Sequence, residues 1–253
     1  MNLVFEIEYD GRDFFGWQIQ RNKPTVQGAI EEALKKIFRR RIKLYGAGRT
    51  DAGVSALGQV ANCIVEPKTE QEERHLKDPI KLKKALNALL PKTIYIKNIR
   101  CAHQDFHARY SATSKIYQYK IVTTPSPLRQ GFAWVVERPL DFTKISEGIK
   151  LFQNHRDYAR FCSQAPGHGE VIIKKIKIKQ SCDEIYITIE ANRFLYKLAR
   201  RIVGALIDLG CEKRNLEDIK NALNGLSYRP LSCAPANGLL LLKVKYPRRY
   251  FLT

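Results

Sequence analysis

The sequence predicts an α+β fold in which helices pack on a largely antiparallel sheet, and three observations support this class. Segments that alternate apolar and polar residues, as half-buried strands do, occur in both halves of the chain. Helical patterns lie between these segments, but strands and helices do not alternate strictly. No fixed repeat and no low-complexity linker interrupts the 253 residues. We therefore expect two halves, 1–104 and 105–253, that share one sheet and a cleft.

The first half begins with a strand from Asn2 to Tyr9, because Leu3, Phe5 and Ile7 alternate with polar residues. A turn with aromatic residues follows. The other elements predicted for this half are a helix at 26–40 capped by Thr25, a short strand at 42–47, a strand at 59–66, a surface loop at 66–79, a helix at 79–90 and a strand at 93–101.

The second half contains a pair of alternating segments that are typical of a β-hairpin, with its turn between Gln180 and Glu184. The elements predicted here are strands at 115–122, 172–180, 184–191 and 238–246, and helices at 142–154, 195–209 and 216–223.

The charge of the chain indicates a polyanionic partner. Forty-four Lys and Arg against 25 Asp and Glu leave a net charge of +19, and nucleic acid or an anionic membrane is the usual reason for such a surplus. No run of residues approaches the roughly 18 apolar positions of a membrane span, and the mean hydropathy is −0.34. The first residues also lack the pattern of a secretory signal. We therefore favour nucleic acid and expect no membrane association.

The cysteines and histidines indicate neither disulfides nor a metal site. The six cysteines form no C-x-x-C pair and stand singly among apolar residues, which predicts reduced, mostly buried thiols in a cytoplasmic protein. His103 and His107 are four residues apart, but their segment is extended rather than helical. We expect no metal.

The segment G-A-G-R-T-D-A-G-V-S-A-L-G at 46–58 is the most informative stretch of the sequence. Its glycines allow a tight loop, which holds one cation, Arg49, and one carboxylate, Asp51. A phosphate-binding loop is excluded, because the segment lacks the G-x-x-x-x-G-K-[ST] pattern. Asp51 either caps a turn or acts in catalysis, and spacing alone favours the turn cap.

The segment R-T-D-A-G-V at 49–54 resembles a motif of the TruA family of tRNA pseudouridine synthases. The resemblance continues along the chain through Y-D-G at 9–11, F-x-G-W-Q-x-Q at 14–20, T-V-Q at 25–27, F-H-A-R at 106–109, K-x-Y-x-Y at 115–119, N-R-F-L at 192–195, R-x-I-V-G at 200–204 and G-L-x-L-x-V-x-Y at 238–246. One residue departs from the family pattern, because Ser55 stands where the family usually has His. This departure puts a contact near the loop in doubt.

The resemblance implies the pseudouridine synthase fold, with two ferredoxin-like halves around one sheet and a central basic cleft. It also implies a homodimeric isomerase, free of metal and cofactor, that acts on tRNA. The substrate would be uridine in the anticodon stem-loop, typically at positions 38, 39 and 40.

The resemblance assigns Asp51 as the catalytic carboxylate, which either adds to C1′ of the ribose or removes the C2′ proton. Arg200 is then its charge partner, although Arg200 could be one more RNA-facing cation. Tyr117 matches the active-site tyrosine, which stacks on the uracil or helps to remove the C5 proton. Its strand position also suits core packing, and Tyr119 on the same face is the competing candidate.

The resemblance further assigns two substrate-binding residues. Arg49 holds the flipped nucleotide or contacts a phosphate, and Leu239 lines the base pocket or belongs to the core. Two other functions stay open at this point. A non-catalytic RNA-binding module would account for the charge, and a related enzyme would modify other uridines.

Overall fold

The computed structural model describes residues 1–159, 161–162, 170–226 and 231–251. The chain forms two compact units, Met1–Thr113 with Leu241–Thr253 and Ser114–Leu240. Most strand pairs are antiparallel, and helices accompany the strands in each unit. The predicted α+β class with largely antiparallel pairing is therefore confirmed. The division into two ferredoxin-like halves at residues 104 and 105 stays a prediction.

The first unit contains three helices and a sheet with the strand order β4-β1-β3-β9, in which β2 pairs with β3. Its elements are β1 (Asn2–Tyr9), α1 (Val26–Phe38), β2 (Tyr45–Gly46), β3 (Ser55–Ile64), α2 (Glu70–Lys77), α3 (Pro79–Leu89) and β4 (Ile94–Ala102), with β9 (Leu239–Lys245) contributing from Leu241 onward. Strand β1 lies between β3 and β4, and Leu3, Phe5 and Ile7 are fully buried, as their alternation predicts.

Helix α1 forms where the sequence predicts it. The Thr25 hydroxyl accepts a hydrogen bond from the Gly28 N–H and so caps the first turn. The buried residues Ile30, Leu34 and Phe38 follow at intervals of four and form the apolar face. The helix ends at Phe38, two residues before the predicted end, because the next residue adopts a left-handed conformation.

The predicted surface loop at 66–79 is wrong, because residues 70–77 form helix α2. The helix is polar overall, and Leu76 is its one buried apolar residue. Its stability comes from polar interactions. The Thr69 side chain caps it by accepting from the Glu72 N–H, and Arg40 forms a 2.5 Å ion pair with Glu72.

The strands next to the Gly-rich segment also differ from prediction. Strand β2 is limited to two residues, and β3 begins at Ser55 rather than at 59. The intervening loop is therefore short and runs from 47 to 54. We call this segment the 47–54 loop.

The second unit contains the strand order β5-β8-β7, with β6 paired in parallel to β5. Its elements are β5 (Ser114–Val122), β6 (Trp134–Val135), α4 (Phe142–Asn154), β7 (Ile173–Ser181), β8 (Glu184–Ala191), α5 (Leu198–Gly210) and α6 (Leu216–Asn224). Helix α4 packs on α5 and on β7. Helix α5 begins three residues later than predicted, because Lys197 adopts a left-handed conformation with φ of +59°.

All six cysteines are free thiols, but the expectation that most are buried is wrong. Only Cys63 and Cys162 are buried, whereas Cys182 and Cys233 are exposed. Cys182 lies in the turn between β7 and β8, and Cys233 lies in the segment before β9. Apolar neighbours in the sequence do not bury a residue that belongs to a turn or loop.

Candidate active site

The 47–54 loop is fixed to the first unit at its base. The Ala47 N–H donates to the Val60 carbonyl at 2.7 Å, and Gln59 Nε2 donates to the Gly48 carbonyl at 3.0 Å. Both partners belong to β3, which is the strand that the loop enters. The start of the loop is therefore held to β3 by one backbone hydrogen bond and one side-chain hydrogen bond.

Asp51 is half-buried, with a buried residue before it and the exposed Ala52 after it. Thr50 is buried, and its hydroxyl is 2.8 Å from the hydroxyl of Tyr9, whose pKa burial raises to about 12. The Tyr9 hydroxyl is therefore protonated at neutral pH. On the other side, the Val54 N–H donates to the Asp51 carbonyl at 3.2 Å and closes a turn in which Gly53 has φ of +79°. Backbone atoms close this turn, so the turn itself does not require a carboxylate at Asp51.

Residues of the F-x-G-W-Q motif pack directly against the loop. The backbone N–H of Trp17 donates to the Thr50 carbonyl at 3.1 Å, and the backbone N–H of Gly53 donates to the Phe14 carbonyl at 3.3 Å. Gly16 has φ of +90°, and a Cβ there would lie 2.5 Å from the Thr50 carbonyl oxygen. Only glycine fits this position without displacing the loop. The motif therefore acts as a support for the backbone on either side of Asp51.

Ser55 has a defined structural contact. Its hydroxyl accepts a hydrogen bond from the Gly11 N–H at 3.0 Å, which ties the Y-D-G turn to the start of β3. The neighbouring Asp10 carboxylate is held by Arg12, and this contact, more than the one with Ser55, keeps its pKa below the ordinary value. The departure from the family pattern thus leaves the loop anchored at this point.

Arg200 lies in the first turn of α5 and is fixed by the segment before β9. The Arg200 Nε–H donates to the Ala234 carbonyl at 2.7 Å, and the Ala234 N–H donates to the Arg200 carbonyl at 3.1 Å. The two elements touch closely, since a Cβ at Gly204 would lie 2.1 Å from the Ser232 carbonyl oxygen. The guanidinium plane is therefore oriented by the backbone of its own unit.

Tyr117 and Tyr119 lie on the same face of β5, but their surroundings differ. The Tyr119 hydroxyl donates to the Pro235 carbonyl at 2.7 Å, and its ring is 1% exposed and packs edge-on against Trp134. Burial raises the pKa of this hydroxyl. Tyr117 is 6% exposed, and its ring meets Phe194 edge-on at 4.8 Å between centroids. The contacts of Tyr119 are those of a structural residue, which favours Tyr117 for the predicted role.

The structure places the predicted site residues in two sets. Arg49, which is exposed, and Asp51 belong to the 47–54 loop of the first unit. Tyr117, Arg200 and Leu239 belong to the second unit, where Leu239 is buried at the start of β9 and its N–H donates to the Ala236 carbonyl. The charge pair between Asp51 and Arg200 and the individual roles stay predictions.

Sequence reasoning missed the residues that support these two sets. Tyr9, Gly16 and Trp17 fix the 47–54 loop, and Ala234 and Pro235 fix Arg200 and Tyr119. The first three lie in motifs that match the family, and these matches are the feature of the sequence that could have identified them. No residue pattern marked the carbonyls of Ala234 and Pro235, because any residue can supply a carbonyl.

Neither a metal-binding cluster nor a membrane-spanning helix is present in the described residues. These residues contain no cluster of three or more His, Cys, Asp or Glu side chains that could hold a metal ion. No helix among them is both long enough and apolar enough to cross a bilayer.

Comparison with known proteins gives a match over most of the chain. A family model described as tRNA pseudouridine synthase matches residues 7–111 and 149–247. The two matched ranges include all five predicted site residues except Tyr117.

Individual proteins are similar over nearly the whole length. The tRNA pseudouridine synthase A of Caldicellulosiruptor bescii is 39% identical over 253 aligned residues, which cover 97% of this chain and 99% of that protein. The proteins of the same name from Dictyoglomus thermophilum and Clostridium botulinum are each 37% identical and also cover 97% of this chain.

Proposed function

The chain belongs to the tRNA pseudouridine synthase family, and we propose that it isomerises uridine to pseudouridine in the anticodon stem-loop of tRNA, typically at positions 38, 39 and 40. The bond between N1 of uracil and C1′ of ribose breaks, the base turns, and C5 bonds to C1′. The C5 proton is lost and N1 gains a proton, so no atom is added overall.

The chemistry requires a base that has left its stack. Extruding a nucleotide costs a few kcal/mol, which contacts with the protein must supply. We assign Arg49, exposed in the 47–54 loop, to hold the flipped nucleotide or its phosphate. Leu239 lines the pocket for the uracil ring.

Asp51 acts on the ribose, either by adding to C1′ or by removing the C2′ proton. Either route needs an ionised carboxylate in a partly desolvated site, which burial opposes. Arg200 supplies the opposite charge. Its planar guanidinium, which donates two parallel hydrogen bonds, also fixes the orientation of the carboxylate. Tyr117 stacks on the uracil, and its hydroxyl takes part in removing the C5 proton.

The anchored 47–54 loop is the observation that carries the proposal. Hydrogen bonds at Thr50, Gly53 and Val54 hold the backbone on both sides of Asp51, and the Asp51 side chain is half-buried. A positioned carboxylate of this kind suits catalysis, which needs a reacting group held in one geometry.

The wider proposal concerns the assembly and its location. We infer a cytoplasmic homodimer whose basic cleft binds tRNA. The net charge of +19 supports binding to a polyanion, and the free thiols of all six cysteines suit a reducing compartment.

Replacement of Asp51 by Asn tests the catalytic assignment. The amide has nearly the same shape but cannot act as a base or nucleophile, so we expect kcat to fall at least about a thousandfold. The tRNA dissociation constant should stay within about threefold of the wild-type value. Turnover is measured as tritium released from tRNA labelled at C5 of uridine, and carbodiimide mapping then locates the product.

Asp13→Asn is the matched control, because Asp13 is an exposed carboxylate of the segment that supports the loop. It should retain full turnover. Wild-type turnover in the Asp51→Asn protein would overturn the assignment, and products outside positions 38 to 40 would instead correct the target.

A further inference from the structure

Three aromatic rings lie in a row on the first unit, next to the strand that leads into the 47–54 loop. The centroids of Tyr45 and His107 are 5.2 Å apart, and those of His107 and Tyr110 are 4.5 Å apart. Tyr110 is 75% exposed, so its ring contributes little to the core. We call these three residues the ring row.

Each end of the ring row carries a cation. Lys43 Nζ lies 5.0 Å from the centroid of the Tyr45 ring, and Arg109 Cζ lies 5.6 Å from that of Tyr110. Within the described part of the chain, neither cation forms an ion pair with a carboxylate. Their charges are therefore available to an anionic ligand beside the rings.

The central ring is held in a fixed, neutral form. The backbone N–H of Arg109 donates to the ring atom His107 Nδ1 at 3.1 Å, and the backbone N–H of His107 donates to the Ser111 hydroxyl at 3.1 Å. Burial, and next the charge of Arg109, lower the pKa of His107. The imidazole is therefore uncharged at neutral pH and presents an aromatic face rather than a third cation.

Arg249 and Tyr250 lie beside Ser111, which contacts the backbone of the ring row. Hydrogen bonds from Arg249 and, to a smaller extent, from Ser111 lower the pKa of the Tyr250 hydroxyl. The Arg249 Cζ also lies 5.2 Å from the centroid of the Tyr250 ring. The surface around the ring row thus combines aromatic side chains with several cations.

We propose that the ring row binds an unpaired nucleotide of the tRNA, with a base stacked on the exposed face of Tyr110 and adjacent phosphates on Lys43 and Arg109. The inference rests on the proposed function. Aromatic faces interleaved with cations are the arrangement that binds single-stranded nucleic acid, since every base has a π-face and every linkage a phosphate.

The position of the ring row suits a role beside the reacting nucleotide. Tyr45 precedes Asp51 by six residues, so their Cα atoms are at most about 21 Å apart. A tRNA strand that presents its uridine to the loop can therefore reach the ring row with nucleotides near the target.

The test compares tRNA binding by three purified full-length variants with that of the wild type. Tyr110→Ala removes the stacking surface and should raise the dissociation constant about fivefold to 150-fold, the range for loss of one base–aromatic stack. Tyr110→Phe keeps the ring and should bind like the wild type. Tyr95→Ala removes another exposed tyrosine (51%) elsewhere in the unit and should also bind normally.

A fourth variant tests the cation. Arg109→Gln should make the slope of log K against log salt less steep by about 1, as expected for the loss of one phosphate contact. The proposal is overturned if Tyr110→Ala binds as tightly as the wild type. It is also overturned if that variant changes only the sedimentation of the free protein, because the ring row would then be a contact between copies of the chain. Binding is measured without turnover, so an inactive wild type would reject the proposed function and leave this test intact.

Discussion

The backbone of Ala234 orients Arg200 before any substrate binds. One N–H of the guanidinium is used by the Ala234 carbonyl, and the Arg200 carbonyl accepts from the Ala234 N–H in return. A lysine at this position could not reproduce the arrangement, because its ammonium lacks the planar set of N–H donors that a guanidinium has. The geometry suits a residue that must present the rest of its guanidinium in one direction.

Replacement of Arg200 by Ala should therefore lower kcat rather than tRNA affinity. Loss of a charge-assisted hydrogen bond to a carboxylate corresponds to about 1.5–3 kcal/mol, or roughly a ten- to hundredfold fall in kcat. Lys197→Ala, which removes a cation from the residue before α5, serves as the control and should act on KM alone. Equal increases in KM for both variants, with kcat unchanged, would show that Arg200 is only another RNA-facing cation.

The sequence singles out Asp51 as a candidate but does not show what holds the backbone on either side of it. The letters R-T-D-A-G predicted a catalytic loop by resemblance. The hydrogen bonds from Trp17 and to Phe14 come from backbone atoms about 35 residues away, and no residue type encodes them. The same holds for Ser55, whose contact with the Gly11 N–H depends on the register between β1 and β3.

At the scale of elements, the segment before β9 is fixed to both α5 and β5. Ala234 bonds with Arg200, and the Pro235 carbonyl accepts from the Tyr119 hydroxyl. Asn237 Nδ2 donates to the Ala133 carbonyl, and the Lys120 N–H donates to the Gly238 carbonyl. Leu239 begins β9 directly after this fixed segment. The contacts with α5 and β5 therefore determine where this proposed base-pocket residue lies.

This arrangement predicts that two Tyr→Phe changes in β5 affect different properties, stability in one case and kcat in the other. Tyr119→Phe leaves the Pro235 carbonyl without its partner and should lower stability by about 1–3 kcal/mol, with a melting temperature several degrees lower. Its kcat should stay near the wild-type value. Tyr117→Phe should lower kcat by about a hundredfold, because the hydroxyl is proposed to act on the C5 proton.

Differential scanning calorimetry and the tritium-release assay separate the two effects. A fall in kcat for Tyr119→Phe, together with full activity for Tyr117→Phe, would reverse the assignment of the two tyrosines. Full activity in both variants would show that the Tyr117 hydroxyl has no role in the reaction and that only its ring contributes, by stacking.

The success of the element predictions follows from the strength of apolar periodicity. Helix α4 and strand β1 bury a regular set of apolar residues, and their observed bounds, Phe142–Asn154 and Asn2–Tyr9, equal the predicted ones. Helix α2 was missed because it buries a single apolar residue and depends on the Thr69 cap and on ion pairs. Periodicity cannot detect an element that polar contacts stabilise.

At the scale of the whole molecule, the positive charge is shared by both units. Met1–Thr113 with Leu241–Thr253 contains 24 Lys and Arg against 13 Asp and Glu, and Ser114–Leu240 contains 20 against 12. Each unit therefore attracts a polyanion by itself. Many of the carboxylates are already paired with nearby cations, such as Glu72 with Arg40 and Asp183 with Arg129. A surplus of this kind in both units suits a ligand with many phosphates.

This distribution of charge predicts a steep dependence of tRNA binding on salt. If five phosphates are neutralised in the complex, the slope of log K against log salt is about −4.5, and affinity falls about 500-fold between 50 and 200 mM. Fluorescence anisotropy of labelled tRNA over this range measures the slope. The value of kcat at saturating tRNA should change far less, because the reaction in the bound complex releases no further counterions. A slope shallower than about −2 would contradict phosphate contacts in both units, and it would leave recognition to contacts such as those proposed for the ring row.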